Sequence, residues 1–338
     1  MIGAMTIPLG GRIPGAGIKE AKILLQPDEA ESRLAPGMTA EINIPSIVLR
    51  RYDVLIDFPG HKFSIGAQGT IQFLGSSAKV KIDANNGSIQ VPSQIENKKY
   101  NLALDLGSCV SFLSNELFDR LQTAHPDWPH MTGAVGSANM WGIDGETSWT
   151  LMRVDRMQVG PLFLTEVAVV ELPTTHVDFI SEIANATTAG LIGANSLMNY
   201  RVGLDYAHSM VYFDIGRLFN FPEFDVVGLI LRPEVDGRFT ILGVADVVAK
   251  PVAKADAKIS VPQEADGVLS GDQLIAVDDI PVRGETMGQV WAMLGGTPGQ
   301  ERRLTVERAG KRFVVSAQVE HFLGELTGES EKKKKKNK

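Results

Sequence analysis

The chain of 338 residues contains one cysteine, Cys109, so no internal disulfide can form. A lone thiol with no marked partner in sequence reads as a small buried apolar residue. Positive charge is not in surplus: 33 Lys and Arg stand against 40 Asp and Glu, a net charge of −7. That balance offers no basic surface for nucleic acid. No apolar run approaches the roughly 18 residues of a membrane-spanning helix. The first residues, Met1-Ile-Gly-Ala-Met-Thr-Ile-Pro8, lack a basic stretch followed by an apolar core, so no export signal is legible. The six histidines are scattered, and His125 and His130 lack metal-ligand spacing. Glycine-rich loops carry no phosphate-binding lysine. No metal or other cofactor is therefore expected.

The composition supports packed cores, with 44% apolar and 22% charged residues, and the length allows two or three domains. Gly and Pro punctuate short β-rich runs and helical periodicity is sparse, which predicts a mostly β architecture. The most informative stretch is Asn101-Leu-Ala-Leu-Asp105-Leu106-Gly107-Ser108-Cys-Val-Ser-Phe-Leu-Ser114. An apolar strand runs into an Asp at a Gly turn, and a second apolar strand follows. On four residues alone this is also an ordinary β-turn, with Asp and Gly in their usual roles. Downstream, Leu191-Ile192-Gly193 reads as a strand, Ala194 to Asn199 as a short helix, and Arg201–Tyr206 with Met210–Phe213 as a hairpin around Ala207-His208-Ser209.

In this order and spacing, the Asp105 turn and Leu191-Ile192-Gly193 resemble retropepsin-like (pepsin-type) aspartic peptidases. The resemblance covers about residues 76–218 and implies a β-barrel lobe. Asp105, Gly107 and Ser108 would form the catalytic turn, with Leu191, Ile192 and Gly193 threading beside it. Such enzymes use two carboxylates sharing one proton, one activating water and the other polarising the scissile carbonyl. This sequence shows one such turn, and Leu106 stands where the family has a Thr or Ser that bonds across the paired turns. Ser108 would keep the hydroxyl beside the Asp. The best flap candidate is Ala138–Trp149, with Asp144-Gly145 as its turn and Trp141 and Trp149 covering a bound peptide or filling core.

An internal repeat aligns Ile44–Phe58 with Ile192–Tyr206, matching Leu49 to Leu197, Tyr52 to Tyr200, Val54 to Val202 and Asp57 to Asp205. Two unrelated amphipathic strands would give a similar pattern, but the number of matches favours a true repeat. Residues 1–75 then form a partial repeat of an aspartic lobe, its Asp-bearing half absent as in a truncated chain, or else a β extension. The second carboxylate would come from a homodimer or from that missing half.

From about residue 219 to 324 a further unit is expected. Val227-Gly-Leu-Ile-Leu-Arg232, Leu269-Ser-Gly-Asp-Gln-Leu-Ile-Ala-Val277, a helix over Glu285–Leu294 capped by Thr286, and a hairpin around Ala309-Gly310 resemble a bacterial PDZ domain, a β-sandwich with one or two helices. The resemblance implies capture of a polypeptide C-terminus in a groove formed by Gly228, Leu229, Ile230, Leu231, Met287 and Val290, with Ile230 and Val290 under the last side chain. Ala245–Gln263 reads as an inserted loop and residues 325–338 as a solvated, Lys-rich tail. The family expectation is an aspartic endopeptidase acting on polypeptides, or a pseudoprotease that holds them. The resemblance also implies a periplasmic or extracellular setting.

Overall fold

The computed structural model describes residues 3–7, 21–25, 44, 46–139, 147–183, 185–216, 223–247 and 267–324. Trp141, Asp144 and Gly145, most of the Ala245–Gln263 loop and the Lys-rich tail lie outside them. Among the described residues strands take 47% and helices 15%, which makes the architecture mostly β. The strands are β1 (Gly3–Ile7), β2 (Ala21–Leu25), β3 (Tyr52–Asp57), β4 (Lys62–Ala67), β5 (Ser76–Lys79), β6 (Lys81–Ile82), β7 (Ile89–Ile95) and β8 (Lys98–Leu104). Next come β9 (Ser111–Ser114), β10 (His130–Thr132), β11 (Thr150–Val159), β12 (Leu162–Leu172), β13 (Gly190–Ile192), β14 (Tyr200–Asp205), β15 (Met210–Ile215) and β16 (Asp225–Val226). The last are β17 (Leu229–Pro233), β18 (Phe239–Val244), β19 (Asp246–Val247), β20 (Gln273–Val277), β21 (Ile280–Pro281), β22 (Glu301–Arg308), β23 (Lys311–Gln318) and β24 (Glu320–His321).

The chain divides into two compact units. The first takes Met1–Pro27, Ala40–Ala124 and Val154–Phe221; the second takes Asp28–Thr39, His125–Arg153 and Pro222–Lys338. Residues 40–75 thus belong to the first unit. Residues 125–153, adjacent in sequence to the Asp turn, group instead with the C-terminal unit.

In the first unit one sheet runs β12-β9-β13-β8-β7-β6. Its apolar residues are deeply buried: Val91, Leu102, Leu113 and Val169 have no exposed surface. The helix Asn115–Ala124 starts where the Ser114 hydroxyl accepts the Leu117 N–H, and it buries Leu117, Phe118 and Leu121. A second sheet runs β4-β3-β14-β15-β5.

This second sheet carries the internal repeat. The hairpins β3–β4 and β14–β15 have equal strand lengths and equal spacing. The Asp57 carboxylate accepts the Gly60 N–H, as Asp205 accepts the His208 N–H, each three residues on. His61 and Ser209, at matching positions, both have positive φ, 49° and 54°. The two hairpins meet through β3 and β14 in antiparallel register, with Asp57 opposite Arg201 and Asp53 opposite Asp205. That register is self-reciprocal, because each pairing maps onto the other when the repeats are exchanged. The hairpins are therefore related by a local two-fold axis, as in a symmetric dimer interface. The strand–turn–strand reading around Ala207-His208-Ser209 holds. The helix expected over Ala194–Asn199 is only a 3₁₀ turn, Ala194–Ser196. It stops early because Asn195 and Ser196 are tied by their side chains to Ser111.

In the second unit the strands run β17-β18-β20-β22-β23, with β21 on β20. The helix Met287–Leu294 is closed at its start by a capping box between Thr286 and Gln289. Its Met287, Val290 and Leu294 join one core with Leu229, Leu231, Phe239, Ile241, Leu274, Leu304 and Val306. Ala309 and Gly310 both have positive φ, which suits a two-residue hairpin turn.

The Leu269–Asp272 turn has an electrostatic core. Asp272 is 2% exposed; the Arg308 guanidinium grips both its oxygens at 2.7 Å, and the Leu269 N–H donates to Oδ2. These bonds, the Arg308 side chain foremost, hold the Asp272 carboxyl below the usual carboxylate range. A carboxyl lowered in the fold contributes stability above its unfolded pKa, about 3.9, and loses it as pH falls through the lower folded value. Thermal melts of this unit should therefore drop in acid below about pH 4. Arg308→Met should lower the midpoint at pH 7 and shrink that acid-induced drop. An unchanged acid dependence in the variant would rule out this pair as its source.

Candidate functional site

Strands β8 and β9 flank the Asp105 turn but are not neighbours. β13 lies between them, parallel to β8 (Leu191 opposite Ala103) and antiparallel to β9 (Leu191 opposite Phe112). The Asp105 N–H donates to Ile192 C=O at 3.0 Å, and the Ala194 N–H to Ser108 C=O at 2.8 Å. The turn is thus stitched to the threaded segment on both sides. Gly193 makes the close approach possible: a Cβ there would sit 2.2 Å from the Val110 carbonyl oxygen. Gly190, with φ +148°, is as tightly placed against Phe112. Leu191 and Ile192 are buried. Leu191, Ile192 and Gly193 therefore stand against the Asp turn, as the sequence suggested.

Asp105 itself is exposed. Its Oδ1 accepts the Gly107 N–H at 3.0 Å, which fixes the carboxylate over its own turn. The Ser108 hydroxyl is buried and donates to Val110 C=O at 2.7 Å. It braces the turn rather than the carboxylate, a correction to its expected place beside Asp105. Gly107 has room: a Cβ would meet only Asp105 Oδ1, at 3.4 Å. Leu106 is half-buried and brings no hydroxyl.

Ser111, which sequence reasoning passed over, organises the threaded segment. It is fully buried; its hydroxyl donates to Asn195 Oδ1 at 2.8 Å and accepts the Gly193 N–H at 3.0 Å. Asn195 in turn donates to Ala168 C=O. The available signal was a Ser inside an apolar run, where a buried hydroxyl needs partners.

The flap candidate falls mostly outside the described residues. Of its four named residues only Trp149 is described. It belongs to the second unit, and its carbonyl accepts the Gly133 N–H at 2.8 Å. The strands around it are β10 and the start of β11, with His130 opposite Met152. They are drawn there because β10 also pairs with β19, Met131 opposite Val247.

In the expected peptide groove, Leu229, Leu231, Met287 and Val290 share the core beside the helix. Ile230 does not. Side chains alternate along a strand, so Ile230 faces the opposite side of β17; it is fully buried, and its Cδ1 lies 3.1 Å from where a Gly133 Cβ would sit. Ile230 is therefore no wall of a pocket shared with Val290. The Gly228 loop also departs from expectation. The Val227 N–H donates to Leu294 C=O at 2.9 Å, and the Leu229 N–H to Val227 C=O at 2.7 Å. Two N–H groups of the loop expected to receive a polypeptide C-terminus are thus bonded within the unit. No helix among the described residues is long and apolar enough to cross a membrane. No family model matches the chain, and no curated protein matches it either.

Proposed function

We propose that the chain is an aspartic-type endopeptidase lobe that presents one of two water-activating carboxylates, Asp105, and carries a PDZ-like module for polypeptide. The observation that carries this reading is the turn itself: an exposed carboxylate fixed by its own backbone, clamped from behind by a strand threaded between its two flanking strands. A rigid, open carboxylate suits general acid–base work on a polypeptide laid across it. A lone carboxylate supplies the base that takes a proton from water. The acid that polarises the carbonyl needs a second carboxyl close by.

The local two-fold between β3–β4 and β14–β15 supports a paired arrangement in which a second turn completes the site. That turn would stand to β3–β4 as the Asp105 turn stands to β14–β15. The inner edge of β14 is already paired with β3. A partner turn would therefore not add as a strand on β14, and the exposed Asp105 carboxylate leaves its own face open to one. The rate of acid-pH cleavage of an unstructured polypeptide, measured against protein concentration, identifies the supplier. A second-order rise points to a second copy, and a linear one to a supplier outside such a dimer.

A second reading, a peptide-holding pseudoprotease, is favoured by Leu106. The missing hydroxyl removes a bond across the turns worth about 1 kcal/mol, more if its partner stays buried. Under the peptidase reading, Leu106→Thr should raise the acid-pH cleavage rate several-fold. A variant that folds as the parent and cleaves no faster would favour the pseudoprotease.

A further inference from the structure

The open edge of β17 is occupied by the protein itself. Among the described residues β17 ends its sheet, with β18 as its single strand neighbour. On the other side, the Leu231 N–H donates to Asn139 Oδ1 at 3.0 Å, and Asn139 Nδ2 donates to Leu231 C=O at 3.0 Å. Asn139 is 1% exposed. In an antiparallel pair, two opposed residues exchange both N–H···O bonds. The Asn139 amide makes that same exchange with its side chain and stands in for one residue of an added strand.

The segment presenting Asn139 is well held. The 3₁₀ turn Gly136–Ala138 is closed by bonds from the Ala138 N–H to Val135 C=O and from the Asn139 N–H to Gly136 C=O. Gly136, with φ +56°, lies so close to the Glu223 carbonyl that a Cβ there would be 2.3 Å from it. Ser137 is hydrogen-bonded to the Glu223 carboxylate. Gly133, with φ +97°, leaves no room for a side chain against Ala245. The Arg153 guanidinium reaches the Leu323 and Gly324 carbonyls at 2.7 and 3.0 Å. These contacts lie within the second unit.

We infer that Asn139 is a built-in competitor for the β17 edge, so that an incoming polypeptide strand must displace its amide before it can pair with Leu231. The inference rests on the reading of this unit as a peptide-binding module, and it adds that the module is self-occupied at rest. Displacement exchanges one pair of hydrogen bonds for another, so the groove opens only to peptides that gain more than Asn139 gives. An edge closed in this way is also protected against indiscriminate strand addition.

The test uses the full chain as wild type, Asn139→Ala and Asn139→Asp. The probe is a set of eight-residue peptides with apolar C-terminal residues, each as free acid and as amide. Hydrogen exchange of the Leu231 amide is read in parallel. In wild type the Leu231 amide should be protected and peptide binding weak. Asn139→Ala should speed Leu231 exchange and tighten binding by roughly ten- to a hundredfold, as expected when two competing bonds are removed. Asn139→Asp keeps the acceptor for the Leu231 N–H but loses the donor to its carbonyl, and should fall between; it also serves if the alanine variant fails to fold. Equal binding by folded variants and wild type would overturn the competitor role while leaving the groove reading intact. Binding to none of the three would overturn the groove reading and the inference with it.

Discussion

Gly193→Ala is expected to unfold the Asp-bearing unit at temperatures where the parent is stable. The new methyl would fall 2.2 Å from the Val110 carbonyl oxygen, 2.5 Å from its carbon and 3.0 Å from the Ser108 oxygen. All three are backbone atoms of the turn leading into β9, so no rotamer change relieves the clash. Either β13 withdraws or the turn opens, and both sacrifice the Asp105–Ile192 and Ser108–Ala194 bonds. The expected cost is about 3 kcal/mol or more, at the upper end of overpacking effects. For a unit of this size that lowers the melting midpoint by roughly 10 °C. Gly107→Ala is the contrasting control. Its Cβ meets only the tip of Asp105 at ordinary contact distance, so stability should change little. Melting curves of the two variants beside the parent check both. A Gly193→Ala chain that melts with the parent would mean that β13 does not thread as described.

The Asp turn, β13 and the repeat were legible because each leaves a local mark in sequence. An apolar strand ending in Asp-x-Gly announces a turn, and a Gly after two apolar residues marks a close backbone approach. The repeat was legible because Tyr52, Val54 and Asp57 recur with their spacing at Tyr200, Val202 and Asp205, which β3 and β14 then occupy as strands. The capped helix and the Ala309-Gly310 hairpin follow equally local rules.

What stayed hidden depends on distant contacts. Residues 125–153 follow the Asp turn in sequence, yet β10 finds its partner at β19, more than a hundred residues on. Asn139 carries no motif, and its role exists only because Leu231 lies opposite it. Ile230 was misplaced because Leu229-Ile230-Leu231 is apolar throughout and gives no alternation to tell one face from the other. Ser108 has the right identity for the expected role, but its hydroxyl had a nearer acceptor in Val110.

Asp105→Asn should abolish cleavage without harming the fold. Asparagine keeps the side-chain shape and an oxygen to accept the Gly107 N–H, so the turn should persist. The amide cannot take a proton from water, and removing a positioned general base costs roughly 10²- to 10⁴-fold in rate. Because the paired mechanism needs one carboxyl protonated and one ionised, parent activity should peak at acidic pH and fade toward neutrality. The decisive measurement is therefore cleavage of an unstructured protein from pH 3 to 8 by the parent and Asp105→Asn, with matched melting curves. Acid-peaked cleavage by the parent, reduced at least a hundredfold in an equally stable variant, is the expected result. Equal cleavage by both proteins, or no cleavage by a folded parent at any pH, would contradict the assignment of Asp105 as a catalytic carboxylate.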